Sequence, residues 1–362
     1  MLYVRGKVVL FFVWWRISRQ QIGTCDILLC THTYTQSTHN TQAAPSEGKR
    51  PSSNTRYCTS NKLTTMSKSS PLIFENSHED GSVAALQMLV SDIFTWELMY
   101  QLAQFAIKVL VANYPNVIVA GGNKKKIDDD AKTTLIDRGP SYVVSLVHSM
   151  YVTTRGLMHL YYLWDASNIQ KMHIGSAGDY HWVHLEVAKT NIMFLAYLLY
   201  DLVHIIMQYP KLGGFDTIMH HMLFALCSMI NGTYGIMAFQ FGWLITGEAS
   251  TVFLNWRWFL LKSNRDTGTL IDNVNTMFAA SFFLCRVVMY TAGILHLYIF
   301  SLPELKSLVQ PEFSGVSVSL LGITCGCMLL GWVLNLFWST KILSKVIAGR
   351  GSNAKNRRGK RD

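Results

Sequence analysis

From about Ser141 onward, long apolar runs alternate with short polar borders, and the pattern predicts helices. Six runs are clear: Ser141 to Tyr162, Leu185 to Gln208, Asp216 to Phe239, Phe241 to Leu261, Thr276 to Phe300 and Ser319 to Leu343. Each exceeds the roughly 20 residues that a helix needs to cross the hydrocarbon layer. A seventh run, Leu86 to Val111, carries Asp92, Glu97 and Lys108, which fits an irregular or partly interfacial helix. If it spans, those side chains must face other helices or headgroups, because bare charge in lipid is costly. The runs are too long and too uniformly apolar for tilted strands of about ten alternating residues. The expected fold is therefore all-α, a polytopic transmembrane bundle with six to seven membrane-spanning helices.

Composition supports a membrane class. Half the chain is hydrophobic and only 15% is charged, against about a quarter charged in soluble domains. The net charge of +10 sits at the ends: residues 1–65 hold eight Lys or Arg against two acids, and residues 341–362 hold eight against one. With the basic C-terminal tail cytoplasmic, alternation brings Lys124 to Lys126, Lys211, and Lys262 with Arg265 to the same side. A seven-span chain then begins outside or in a lumen, and a six-span chain begins in the cytoplasm.

Three segments follow: a polar tail over 1–82, a membrane body over 83–345 and a basic tail over 346–362. The first has the Ser, Thr, Asn and Gln content of a disordered tail. It also holds VVLFFVWW, Val8 to Trp15, between Lys7 and Arg16. This run has the length of a signal-peptide core, and a short membrane-surface anchor fits equally well. A biological start at Met66 would remove both roles. Cys227, Cys285, Cys325 and Cys327 lie within apolar runs and read as packing residues, and the glycosylation pattern at Asn231 is unreachable inside a span.

The chemistry resides in polar residues within the runs. Asp201 and His204 are three apart and share a helix face. His220 and His221 open the next run after a turn containing Pro210, Gly213 and Gly214. That hairpin lets Asp201 orient His204, and a neutral imidazole of His204 or His221 then serves as a base. Adjacent helical residues diverge by about 100°, so His221 is expected inside and His220 partly at the interface. Glu248, near the middle of a run, needs a partner or a water-filled cavity. Asn255 lies two turns further on the same face, His148 and Asn231 can complete a lipid cavity from neighbouring helices, and Arg286 is a counter-charge for Glu248. His173, His181 and His184 read as interfacial.

No closed metal site is expected. HWVH and a separate HH offer too few matching ligands for a di-iron cluster, although His181, His184 and one acid could in principle hold zinc. No glycine loop, dinucleotide fingerprint or activated-serine elbow is present, so no cofactor is expected. Beside a transmembrane body, the basic KNRRGKR tail is better matched to anionic headgroups than to nucleic acid.

The order of His148, a D-x-x-H span ending, the HH opening the next span, and then GEASTVFLNWRW resembles the TLC domain family over about residues 83–345. It is most similar to the small TLC-domain-containing multipass proteins, and more distantly to the ceramide synthases. By position, His220 and His221 resemble the paired histidines that ceramide synthases use in acyl transfer. The second acidic cluster of the synthases has no counterpart after MLFALCSMINGTYGIMAFQ. The resemblance implies a TLC-type bundle, a role in lipid homeostasis and residence in the endoplasmic reticulum.

Two function classes follow, with membrane lipids or acyl chains as partners in both. One is a lipid-handling protein that binds an acyl chain in a polar intramembrane cavity without chemistry. The other is a membrane acyltransferase or lipid hydrolase, in which His221 or His204 is the base and Glu248 or Asp201 orients it. A third reading is structural, with the polar residues packing the helices and the protein recruiting a partner.

Overall fold

The computed structural model describes residues 78–114, 129–167, 170–171, 180–263, 268–303 and 318–358. The expectations for residues 1–77, Lys124 to Lys126, His173, Arg265, the His181 side chain and the basic side chains beyond Lys345 fall outside what is described.

The described apolar runs are helical. In order they are α1 (His78–Asn113), α2 (Asp129–Leu163), α3 (His181–Met207), α4 (Phe215–Tyr234), α5 (Ala238–Thr246), α6 (Ala249–Lys262) and α7 (Thr269–Phe282). A π-helix (Phe283–Met289), α8 (Tyr290–His296), a second π-helical turn (Leu297–Ser301) and α9 (Val318–Arg358) complete the set. Helix α2 is the hub, packed against α1, α3, α5 and α6, while α3 also meets α4, and α4 meets α9. Gly156 sets the α2–α5 approach, since a Cβ there would lie 2.7 Å from the carbonyl oxygen of Gly242 and 2.5 Å from Thr246 Oγ1. Val152, Ala196, Met237, Ile245, Leu297 and Met328 fill the core.

The count of spans differs from the sequence expectation. Among the described residues, three helices are long and apolar enough to cross a membrane: Trp182–Met207, Thr269–Ser301 and Val318–Lys345. The expectation of six to seven is corrected to three. Charge interrupts the runs in α1, at Asp92, Glu97 and Lys108, and in α2 at Arg155. His220, His221 and Asn231 dilute α4, which stops at Tyr234 where Gly235 turns left-handed (φ 58°). The run Phe241 to Leu261 breaks at Gly247 and Glu248 into helices of 9 and 14 residues. At about 1.5 Å per residue neither approaches the roughly 30 Å of hydrocarbon.

The last helix is pinned to α4 by its polar end. Trp338 donates its indole N–H to Asp216 Oδ2 at 3.0 Å, and Lys341 Nζ lies 3.6 Å from the same oxygen. The indole hydrogen bond is the main cause that holds the Asp216 carboxyl below its ordinary value.

Candidate functional site

The α3–α4 hairpin brings Asp201 to His221, with Oδ2 2.9 Å from Nε2 and both side chains largely buried. On the other side of the ring, His221 Nδ1 lies 3.0 Å from the carbonyl oxygen of Thr217, one turn earlier. A carbonyl only accepts, so Nδ1 carries a proton and donates it. Nε2 faces the Asp201 carboxyl, so both ring nitrogens are engaged.

The expected partnership of Asp201 with His204 is corrected. Asp201 turns toward α4, whereas His204 turns toward α1, placing Nε2 3.1 Å from Glu97 Oε2. The rings of Tyr100 and Tyr200 flank His204 at 4.7 and 4.6 Å between centroids, and Gln101 donates to the other Glu97 oxygen at 2.6 Å. His220 diverges from its neighbour and packs its half-buried ring against Phe224 and Trp338.

Glu248 caps the break between α5 and α6, and Arg286 reaches it from the π-helix. Arg286 Nη2 donates to Glu248 Oε1 at 2.7 Å and to Thr251 Oγ1 at 3.0 Å, while Nε donates to Ser250 Oγ at 3.0 Å. Thr251 in turn donates to Glu248 Oε2 at 2.7 Å. A carboxylate and guanidinium withdrawn from solvent are tolerated when hydrogen bonds fill their remaining valences, as here. The extra residue per turn of a π-helix re-aims side chains, and such segments frequently mark functional positions.

His148 comes from α2, which packs against both α3 and α6. It is buried, stacked on Tyr197 with centroids 3.5 Å apart, and bounded by Phe194 and Trp96. Its Nε2 has no hydrogen-bond partner among the described residues. Asn255 joins α6 to α2 by donating to Ser145 Oγ at 3.0 Å. Asn231 stands apart from His221: ten residues further along α4, it is about 15 Å away along the axis, and its amide contacts Cys227 Sγ at 3.9 Å.

Sequence reasoning passed over two features. Glu97 was read as a liability of α1 and is the acid partner of His204. A second cluster joins α2 to α3: Arg155 donates to the Glu186 carboxylate and to Thr190 Oγ1, and His159 Nε2 lies 3.0 Å from the same hydroxyl. The signal was available, because Arg155 with His159 and Glu186 with Thr190 are each four apart in apolar surroundings.

The family model described as the TLC domain matches residues 140–344. The chain belongs to the TLC domain family. Within that match lie His148, Asp201, His204, His220, His221, Asn231, Glu248, Asn255 and Arg286, whereas Glu97 comes from α1, before the matched TLC region. The chain is similar to TLC domain-containing protein 4-B of Danio rerio, 31% identical over 58% of this chain and 75% of the relative. TLC domain-containing protein 4 of Homo sapiens is 26% identical over 73% of this chain and 91% of its own length. A TLC domain-containing protein 4 A from Dictyostelium discoideum is 23% identical over 46% and 64%. No solved structure matches the chain at a significant level. With three apolar helices of spanning length, this TLC-domain chain is an integral membrane protein.

Proposed function

We propose that the protein handles acyl lipids of the membrane in which its helices sit, binding them and influencing membrane lipid composition without transforming them. The observation that carries this reading is the engagement of both His221 ring nitrogens, by Thr217 and by Asp201. A general base needs a free nitrogen within hydrogen-bond reach of the proton it removes. Glu248 is likewise committed to Arg286 and Thr251. The buried Nε2 of His148, set among aromatic rings, can meet one polar atom of a lipid. Membership of the TLC family fits the same reading, which carries with it residence in the endoplasmic reticulum and a cytoplasmic C terminus.

A membrane acyltransferase or lipid hydrolase is the second reading, favoured by the presence of a carboxyl and an imidazole side by side in the α3–α4 hairpin. It requires the His221–Asp201 bond to open so that Nε2 faces a substrate. Purification in mild detergent followed by lipid extraction separates the two. Binding predicts an acyl lipid that co-purifies in fixed proportion to protein and is released unchanged, whereas catalysis predicts a product that accumulates with time.

A further inference from the structure

One face of α2 carries Arg155, His159 and Tyr162, and one face of α3 carries Trp182, Glu186 and Lys189, each set spaced by four and then three residues. The two faces meet. Tyr162 contacts Trp182 edge-on, with ring centroids 4.7 Å apart. Further along both helices, Glu186 takes two cations on one carboxylate: Arg155 Nη2 on Oε2, and Lys189 Nζ on Oε1 at 3.0 Å. Arg155 is anchored as well by Nε to Thr190 Oγ1 at 3.0 Å and by Nη2 to the Glu186 carbonyl oxygen at 3.3 Å. The bonded cluster therefore sets two positive charges against one negative.

Its level in the membrane follows from α3. Trp182 opens this spanning helix, and Tyr161, Tyr162 and Trp164, at the end of α2, are exposed as Trp182 is. Exposed Tyr and Trp gathered at helix ends mark the headgroup level. Glu186 lies four residues in, about 6 Å along the axis, where headgroups give way to hydrocarbon. Lys189 reaches back one turn to Glu186, the direction in which a lysine snorkels toward water. Its side chain is 57% exposed, so the surplus positive charge lies on the outer surface of the bundle. Charge at that depth is costly unless it is met, and the anion stationed there is a lipid phosphate.

We propose that Lys189 and Arg155 bind the phosphate of an anionic glycerophospholipid in the leaflet at the Trp182 end, with Tyr162 and Trp182 beside its headgroup. An ammonium has three N–H groups and the Glu186 bond takes one, which leaves Lys189 donors for the phosphate. A zwitterionic lipid brings its own ammonium toward the same two cations and gains less. The site requires only that α3 spans the membrane, and it stands whether or not the bundle carries a lipid inside.

The test uses the full chain, stripped of lipid in detergent, with phosphatidylglycerol and phosphatidylcholine of identical acyl chains, read by native mass spectrometry. Wild type is expected to retain phosphatidylglycerol in preference. Lys189→Gln should weaken that preference by about fivefold, the scale of one basic residue at an anionic surface. Glu186→Gln, which removes the competing carboxylate, should strengthen it. Lys211→Gln makes the same charge change beyond the other end of α3 and should leave it unmoved, and the basic C-terminal tail is common to all the variants. Equal retention of both lipids, equal falls in Lys189→Gln and Lys211→Gln, or a fall in Glu186→Gln overturns the site. Glycerophosphoglycerol, the same headgroup without acyl chains, should not bind at the concentrations that load the lipid. Binding of it as tight as the lipid's, and weakened by Lys189→Gln, overturns the membrane source.

Discussion

Asp201 Oδ2 lies 2.9 Å from His221 Nε2, across two helices, and not against His204 one turn along its own helix. The arrangement leaves an ordered set of consequences for substitution. Asp201→Asn keeps a hydrogen bond, because an amide N–H can donate to the Nε2 of a neutral imidazole whose Nδ1 still faces Thr217. His221→Ala instead strands a buried carboxyl. Thermal unfolding in detergent should show a loss below ~1.5 kcal/mol for the first and of about 3–5 kcal/mol for the second. Equal losses would mean that the pair does not carry the stability assigned to it.

Arg286 holds Glu248, Ser250 and Thr251 with three hydrogen bonds from two nitrogens, Nε and Nη2. Arg286→Lys keeps the charge and cannot reproduce the fork. Arg286→Leu should therefore cost several kcal/mol, and Arg286→Leu combined with Glu248→Leu should recover a large part of it, since the stranded carboxylate is gone. A double-mutant cycle on unfolding midpoints measures the coupling, and simple additivity would contradict it.

His148 stacks on Tyr197 and leaves Nε2 unpartnered. His148→Phe preserves the stacking and removes a buried polar atom, so folding stability should hold or rise by about 1 kcal/mol. The co-purifying lipid should fall in the same variant, as measured by extraction and mass spectrometry at matched protein. Unchanged lipid with unchanged stability would make His148 a packing residue alone.

Asp216 is held below its ordinary value by the Trp338 indole, so its carboxylate is favoured in the folded state. Its stabilisation is fully present above the unfolded value near ~3.9 and is lost as pH falls through the lower folded value. Unfolding midpoints of wild type and Asp216→Asn should differ at neutral pH and converge under acid. A difference that persists below the folded value would point to a neutral packing effect.

The sequence showed the helices, the family resemblance and the Glu248–Arg286 partnership, because long apolar runs and a lone buried carboxylate are local signals. The number of spans was not legible: hydropathy over Phe241 to Leu261 passes smoothly across the break at Gly247 and Glu248. Nor was the choice of acid for each histidine. Asp201 and His204 share a face by spacing, yet a rotation of about 60° between positions three apart sends one toward α4 and the other toward Glu97 on α1. Such pairings depend on how helices pack, which spacing along one helix does not encode.

The central claim is that this bundle captures an acyl lipid without transforming it. The most direct measurement incubates purified wild-type protein with isotopically labelled phospholipid and, separately, labelled acyl-CoA plus a long-chain amine, following bound label and product over time. Capture that saturates in proportion to protein, with the label recovered unchanged, is the predicted result. Product that grows past the amount of protein present, and is lost in His221→Ala, would contradict it and restore His221 as a base.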